Sequence, residues 1–197
     1  MARPVAGRST AAAALPEWIR PQLTQLVDQA PEGHGWLHEI KFDGYRMHAR
    51  LDHGAVRLLT RTGLDWTHKY PAIAEAVSSI GAEQAYLDGK LCGVRADGIT
   101  SFSMIQAASD SGNAAALVFF PFDLLYLDGE NLCAQPLIER KARLAALLAD
   151  APSLCTTAIT RPGTAARSSR RPARSRSRGL SPNAPMPLTR RAIADCG

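Results

Sequence analysis

Apolar positions recur along this chain with two different periods, and the switches between them mark out its elements. Trp36 to Ile40 reads as a strand that reaches about Lys41, beside a tight turn at Gly44. From Met47 the alternation runs through Ala49 and Leu51, breaks at Asp52-His53-Gly54 and resumes in Val56-Arg57-Leu58-Leu59-Thr60. That pattern predicts a β-hairpin, closed by Thr60-Arg61-Thr62-Gly63 with Arg61 at a strand end. Ile73, Ala76, Val77 and Ile80 then recur at helical spacing, so a helix is predicted over Tyr70–Ile80 and ended by Gly81. Ala85–Val94 reads as a strand interrupted at Gly89, with a turn at Asp97-Gly98 and a helical turn over Ser103–Ala108. Leu117–Leu127 is the most apolar segment and predicts a buried strand, with Asp123 exceptional inside it. After a turn at Asp128-Gly129, Ile138–Leu148 forms an Ala/Leu helix that places Glu139, Arg140, Lys141 and Arg143 on its wet face. A short helix is also expected around Gln22–Gln29, broken by Pro31-Glu32-Gly33-His34-Gly35. Strand pairs and helices interleave without regular alternation, which places the chain in the α+β class.

Charge divides the chain in two. Its 197 residues suit one domain with a sizeable core, and the formal charge of +5 suggests a nucleic-acid partner. Residues 156–197, however, carry nine Arg and one Asp, while residues 1–155 are slightly acidic. The tail also lacks Lys, Glu and aromatic residues, so it cannot bury enough apolar surface to offset its ordering entropy and is expected to be disordered. Residues 1–14 are expected to be a disordered terminus, and 15–155 the folded part. Cys92, Cys133, Cys155 and Cys196 are widely separated, which reads as scattered buried thiols in a reducing cytosol and not as a metal or redox motif. No apolar run is long enough to span a membrane.

The densest chemistry lies in Glu39-Ile40-Lys41-Phe42-Asp43-Gly44-Tyr45-Arg46. Making a lysine neutral at pH 7 costs about 4.6 kcal/mol from its reference pKa of about 10.4. Desolvation against strand walls, and a cation such as Arg46 or a bound metal, can supply much of that.

This stretch resembles the K-x-D-G-x-R signature of ATP-dependent DNA ligases and other covalent nucleotidyltransferases. The resemblance runs from about Leu15 to Leu148 and is strongest to the bacterial multifunctional ligases of non-homologous end joining. It is carried further by Trp36–Ile40, Leu58–Thr67, Phe122–Gly129 and Pro136–Lys141. It implies an ATP-grasp-like adenylation domain, with antiparallel sheets flanked by helices and incomplete at its C-terminus. Lys41 would attack the α-phosphorus of ATP and hold AMP, with Asp43 and Gly44 supporting it. Arg46 would hold the ribose or phosphate, Arg61 the DNA 5′-phosphate, Glu39 the adenine edge and Phe122 its face, with Ile40 also among the nucleotide-binding residues. Mg²⁺ would serve as cofactor, and the partners would be nicked or broken double-stranded DNA and end-joining proteins. A bacterial cytoplasmic, nucleoid-associated location would follow.

Two departures bear on activity. Where the family reads Leu-Asp-Gly-Glu, Leu87-Asp88-Gly89 is followed by Lys90, so no intact metal site is expected and a large loss of activity follows. The later Glu-Gly-(Ile/Leu/Val)-Val-(Ser/Ala)-Lys and Lys-x-Lys motifs of the family are also missing, as is the oligonucleotide-binding domain after them. A shifted reading of Ser177–Ala184 permits Glu-Gly-Leu-Val-Ser-Lys-Arg, so the tail is expected to be an out-of-frame product, which the coding DNA tests. The alternatives are an RNA ligase or capping-type nucleotidyltransferase, and an inactive remnant whose Arg-rich tail binds nucleic acid.

Overall fold

The computed structural model describes residues 12–25, 27–29, 31, 33, 36–95, 98–111, 117–156 and 160–162. They fall into two units. The first runs through Gln22 and resumes at Phe42; the second comprises Leu23–Lys41 and the strand at 160–162.

In the second unit, β1 (Leu37–Glu39) pairs antiparallel with β8 (Thr160–Pro162), Glu39 lying opposite Thr160. β1 thus ends two residues before Lys41. β8 falls inside the stretch expected to lack structure and starts at a β-branched residue, Thr160. The short helix expected around Gln22–Gln29 is not formed among the described residues there. Leu23 and Val27, which lie in that span, are exposed, so they give it no tertiary packing there.

The first unit is built on one antiparallel sheet of order β3-β2-β4-β6-β7, with β5 on the end of β4. Its strands are β2 (Tyr45–Asp52), β3 (Ala55–Thr60), β4 (Gln84–Val94), β5 (Thr100–Ser101), β6 (Leu117–Leu127) and β7 (Glu130–Asn131). Both predicted hairpin turns form, and both use the left-handed conformations that two-residue turns require. His53 and Gly54 have φ of 48° and 84°, Asp128 and Gly129 of 42° and 90°. β2 begins at Tyr45, two residues earlier than the apolar alternation suggested, because Tyr45 and Arg46 already pair with Leu91 and Lys90. β4 is continuous through Gly89 and absorbs the irregularity as a register shift against β6. The turn expected at Asp97-Gly98 lies partly outside the described residues, although Gly98 has a φ of 80°.

Alternation sorts the sheet into two faces. Met47, Ala49 and Leu51 lie opposite Gly89, Leu87 and Ala85 on the face that packs on the main core. This core also takes Ile73, Ala76 and Val77 from α1 (Pro71–Ser78), Ile105 from α2 (Phe102–Ser111) and Leu144 from α3 (Leu137–Leu147). α2 runs beyond the predicted Ser103–Ala108, and α1 starts with Pro71, whose missing N–H is no loss in a first turn.

The other face is polar yet covered. Arg46, His48 and Arg50 of β2 lie opposite Lys90, Asp88 and Tyr86 of β4, which in turn face Phe120, Asp123 and Tyr126 of β6. Residues 12–22 run over it as a strap. Ala13 N–H donates to the Gly129 carbonyl at 2.7 Å and its carbonyl accepts from Tyr126 Oη at 2.6 Å. Ile19 N–H donates to Tyr86 Oη, and the Pro16 and Gln22 carbonyls accept from Arg50 and Arg46. Residues 12–14, assigned to a disordered terminus by sequence, are therefore part of this covering.

α3 corrects the expected wet face. Arg140 is fully buried and Lys141 nearly so, whereas Ile138 is 56% exposed. Arg140 donates through Nε and Nη2 to both Asp123 oxygens, at 2.9 and 3.1 Å, and through Nη1 to the Gln135 carbonyl. Lys141 Nζ donates to the Phe122 carbonyl at 2.5 Å. An aspartate inside an apolar strand needs a cation, and the helix supplies it. Arg140→Met should destabilise the fold by about 3–5 kcal/mol in urea unfolding, since it strands a buried carboxylate. Asp123→Leu combined with Arg140→Met should recover much of that loss; a double variant no more stable than the single one would refute the pairing argument.

Candidate functional site

Asp88, Gly89 and Lys90 occupy the middle of β4, and each does something different. Asp88 lies on the polar face opposite His48, and its two oxygens accept from Arg46 Nε at 3.0 Å and Nη2 at 2.5 Å. Such a two-point pairing fixes the guanidinium plane. Arg46 also donates to the Gln22 carbonyl at 2.6 Å and lies 5.5 Å from the ring centre of Phe122, a cation–π contact. Gly89 carries no side chain because a Cβ there would meet the Phe119 ring at 2.5 Å. Lys90 turns its Nζ to the Gly44 carbonyl, 3.0 Å away.

Gly44 is dictated by the same packing. A Cβ at this position would overlap the Leu91 carbonyl and come within 2.7 Å of Cys92 Sγ. Its neighbour Asp43 donates its backbone N–H to Thr100 Oγ1 at 3.3 Å, and Phe42 stacks on Phe120 with centroids 4.3 Å apart. The segment that follows Lys41 is thus tied down by backbone and ring contacts.

A cavity of about 380 Å³ opens beside these residues, lined by Gly44–Met47, Thr60–Thr62, Leu64, Trp66 and Lys90. Three cationic residues, Arg46, Arg61 and Lys90, are among those lining it, and no Asp or Glu is. Arg61 sits exposed on the turn after β3, where the hairpin reading placed it. The structure therefore gathers Gly44, Arg46, Arg61 and Lys90 around one space, with Phe122 buried against Arg46. Glu39, Ile40 and Lys41 belong to the second unit: Glu39 is buried, and Ile40 and Lys41 are exposed.

The electrostatics of Asp88 follow from its partners. Burial opposes its ionisation, but donors on His48 and Arg46 and the arginine's charge prevail, holding its pKa below the ordinary 3.8. His48, itself buried, has Nδ1 2.8 Å from Tyr86 Oη and Nε2 3.4 Å from Asp88 Oδ1. Tyr86 Oη also accepts from the Ile19 N–H, while His48 Nε2 is buried and has no hydrogen-bond partner among the described residues, Asp88 lying just beyond good hydrogen-bonding geometry. Burial pushes the Tyr86 hydroxyl up to about 12, and does the same for the Cys92 and Cys155 thiols. Those two cysteines are inert packing groups, as the scattered spacing suggested. Cys133 is half-buried, and Cys196 lies outside the described residues.

The polar rungs beneath the cavity were not identified from sequence. His48 and Arg50 alternate with Met47 and Ala49, so the two-faced strand was legible; what was missing was any local sign that residues 12–22 cover the polar face.

The metal expected from the resemblance can be tested against these side chains. Among the described residues no three His, Cys, Asp or Glu side chains gather in a metal-binding group. Asp88 is committed to Arg46, and position 90 offers an ammonium. The donor set does not fit a protein-held Mg²⁺.

Comparison with known proteins now places the chain. Residues 21–166 match the ATP dependent DNA ligase domain family. The chain belongs to that family. It is 43% identical over 142 residues to the multifunctional non-homologous end joining protein LigD of Pseudomonas aeruginosa, covering 72% of this chain and 17% of that protein. A DNA ligase of Pyrobaculum calidifontis is 34% identical over 140 residues, covering 64% of this chain and 24% of that protein. Among solved structures, the ligase domain of Mycobacterium tuberculosis LigD superposes with a TM-score of 0.55 at 36% identity, covering 65% of this chain and 41% of that one. A mycobacterial DNA ligase D complexed with ATP and MES gives 0.54 at 35% identity, covering 68% and 45%. The chain thus spans less than half of each of these relatives. The α+β, antiparallel adenylation-domain fold expected from the sequence is the fold observed. Among the described residues no helix is long and apolar enough to cross a membrane.

Because Asp88 has a folded-state pKa below its unfolded value, its contribution to stability is present above about pH 4 and is lost as pH falls through the folded value. Urea midpoints of the unmodified chain should therefore drop more steeply below about pH 4 than those of Asp88→Asn. Parallel pH profiles would show that the Asp88 pairing is not what the acid disrupts.

Proposed function

We propose that this chain carries the lysine-adenylating chemistry of an ATP-dependent DNA ligase of the bacterial end-joining kind, in a weakened form. The observation that carries this reading is the cavity lined by Arg46, Arg61 and Lys90, part of whose wall is Gly44, Tyr45 and Arg46 of the Lys41-x-Asp43-Gly44-x-Arg46 signature. Such a cavity suits phosphate groups, and a mycobacterial relative of this family holds ATP.

In the first step the Lys41 amine forms an N–P bond to the α-phosphorus of ATP, the bond to the β-phosphate oxygen breaks, pyrophosphate leaves, and the amine gives up a proton to solvent. AMP then passes to a DNA 5′-phosphate with release of the Lys41 amine. A neighbouring 3′-hydroxyl attacks that phosphorus, AMP departs and the nick is closed. Arg46 holds the ribose or phosphate, Arg61 the DNA 5′-phosphate, Glu39 the adenine edge and Phe122 its face, and Ile40 contributes to the nucleotide site. Asp43 and Gly44 shape the segment that follows the nucleophile. Mg²⁺, which has no carboxylate set here, would come with the phosphates of ATP. Nicked or broken duplex DNA and end-joining proteins are the partners this reading implies, in a bacterial cytoplasm.

Lys90 sets the weakness. A glutamate at that position, as the family has it, would offer a carboxylate to a metal ion carried with the phosphates; the ammonium cannot. With α-labelled ATP and Mg²⁺, the unmodified chain should label faintly, Lys41→Ala not at all, and Lys90→Glu at least about tenfold more strongly. Label on Lys41→Ala would refute the assignment of the nucleophile. Equal labelling of the unmodified chain and Lys90→Glu would refute the weakening.

A further inference from the structure

We propose that Lys90 makes the cavity a site for nucleotide polyphosphate that needs no divalent cation. The inference rests on the nucleotide-site reading above and goes beyond it. Its basis is the charge inventory of the cavity. Arg46, Arg61 and Lys90 line it and no carboxylate does. Two carboxylates lie close by in the chain: Asp43 adjoins Gly44 without lining the cavity, and Asp88 is buried and binds Arg46 through both oxygens, so it neutralises one guanidinium and cannot turn toward a ligand. Arg61 makes no ion pair or hydrogen bond with any described residue. Lys90 is held in place across the sheet, opposite Arg46 on one side and Phe120 on the other, with its amine on the Gly44 carbonyl.

Those positions matter because a polyphosphate in a cavity needs its charge neutralised, and a divalent cation is the usual means where the protein offers carboxylates. Here the neutralising charge is built into the walls. Two unit charges about 4 Å apart near a protein surface interact by roughly 4 kcal/mol, so exchanging an anion for a cation at position 90 is large on the scale of a binding constant. The ammonium is already ordered by the Gly44 carbonyl, which lowers the ordering cost of meeting a phosphate. Tight ground-state binding of this kind does not speed transfer, so it accords with a chain that holds ATP and labels slowly. The residue at position 90 thus decides whether the site's affinity depends on metal.

The test is titration calorimetry of the full chain with ATP at about 0.15 M salt, in excess EDTA and in excess Mg²⁺, where attraction to exposed arginines is screened beyond about 8 Å. The unmodified chain should bind with dissociation constants within about threefold of each other in the two buffers. Lys90→Glu should bind at least about tenfold more weakly in EDTA and recover in Mg²⁺. Lys90→Met should bind more weakly in EDTA and gain nothing from Mg²⁺, and thermal unfolding of each variant shows whether it is folded. Binding by the unmodified chain only in Mg²⁺ would overturn this inference and leave the nucleotide site standing. No binding in either buffer would overturn both. Undiminished binding of Lys90→Glu in EDTA would place the metal-free affinity outside the cavity, in the arginine-rich tail, and would also overturn the inference.

Discussion

The ion pair between Arg46 and Asp88 joins the strand that follows the signature lysine to the strand at the centre of the sheet. Both partners are nearly buried, so neither is stable there alone: a desolvated carboxylate or guanidinium without its counterpart costs several kcal/mol. The constraint is sharper still because Asp88 lies opposite Asp123 on the neighbouring strand. Two carboxylates on one rung would repel, and each is met by its own arginine, Arg46 from β2 and Arg140 from α3. The placement of a site arginine and that of a core arginine are therefore answers to one electrostatic problem. The strap of residues 12–22 completes it, since the Gln22 carbonyl accepts from Arg46 Nη1, the guanidinium nitrogen that Asp88 leaves, and Ile19 fixes the Tyr86 hydroxyl that faces His48.

Seen this way, the glycines and cations of the signature have separable causes. Gly44 and Gly89 are required by packing, because any side chain would strike β4 or the Phe119 ring. Arg46 is required by Asp88 before it is required by any ligand. Lys90 and Arg61 differ, since both line the cavity and neither pairs with a buried carboxylate as Arg46 does, Lys90 instead resting its amine on the Gly44 carbonyl. Function is read most directly from those two residues.

Much of this was legible in the sequence because the signals were local. The Asp52-His53-Gly54 and Asp128-Gly129 turns, the alternation of β2 and the long apolar run of β6 each carry their own geometry. What failed was non-local. Arg140 and Lys141 look like a solvated helix face until Asp123 is placed opposite them; the aspartate inside an apolar strand was the available clue. The strap had no clue of this kind, because its main-chain carbonyls and N–H groups make most of the contacts and any sequence provides those. The helix expected near Gln22 is not formed among the described residues, where Leu23 and Val27 are exposed. In the site, the signature named Lys41, Gly44 and Arg46, and Lys90 stood out only as a departure; that it shares a cavity with Arg61 required the register of three strands.

The most direct test of the central claim is a double-mutant cycle of Arg46→Met and Asp88→Asn, read by urea unfolding at neutral pH. If the pair organises the sheet and presents the cavity's arginine, the two substitutions should couple by more than about 1 kcal/mol. Losses that add to within about 0.3–0.5 kcal/mol would contradict it.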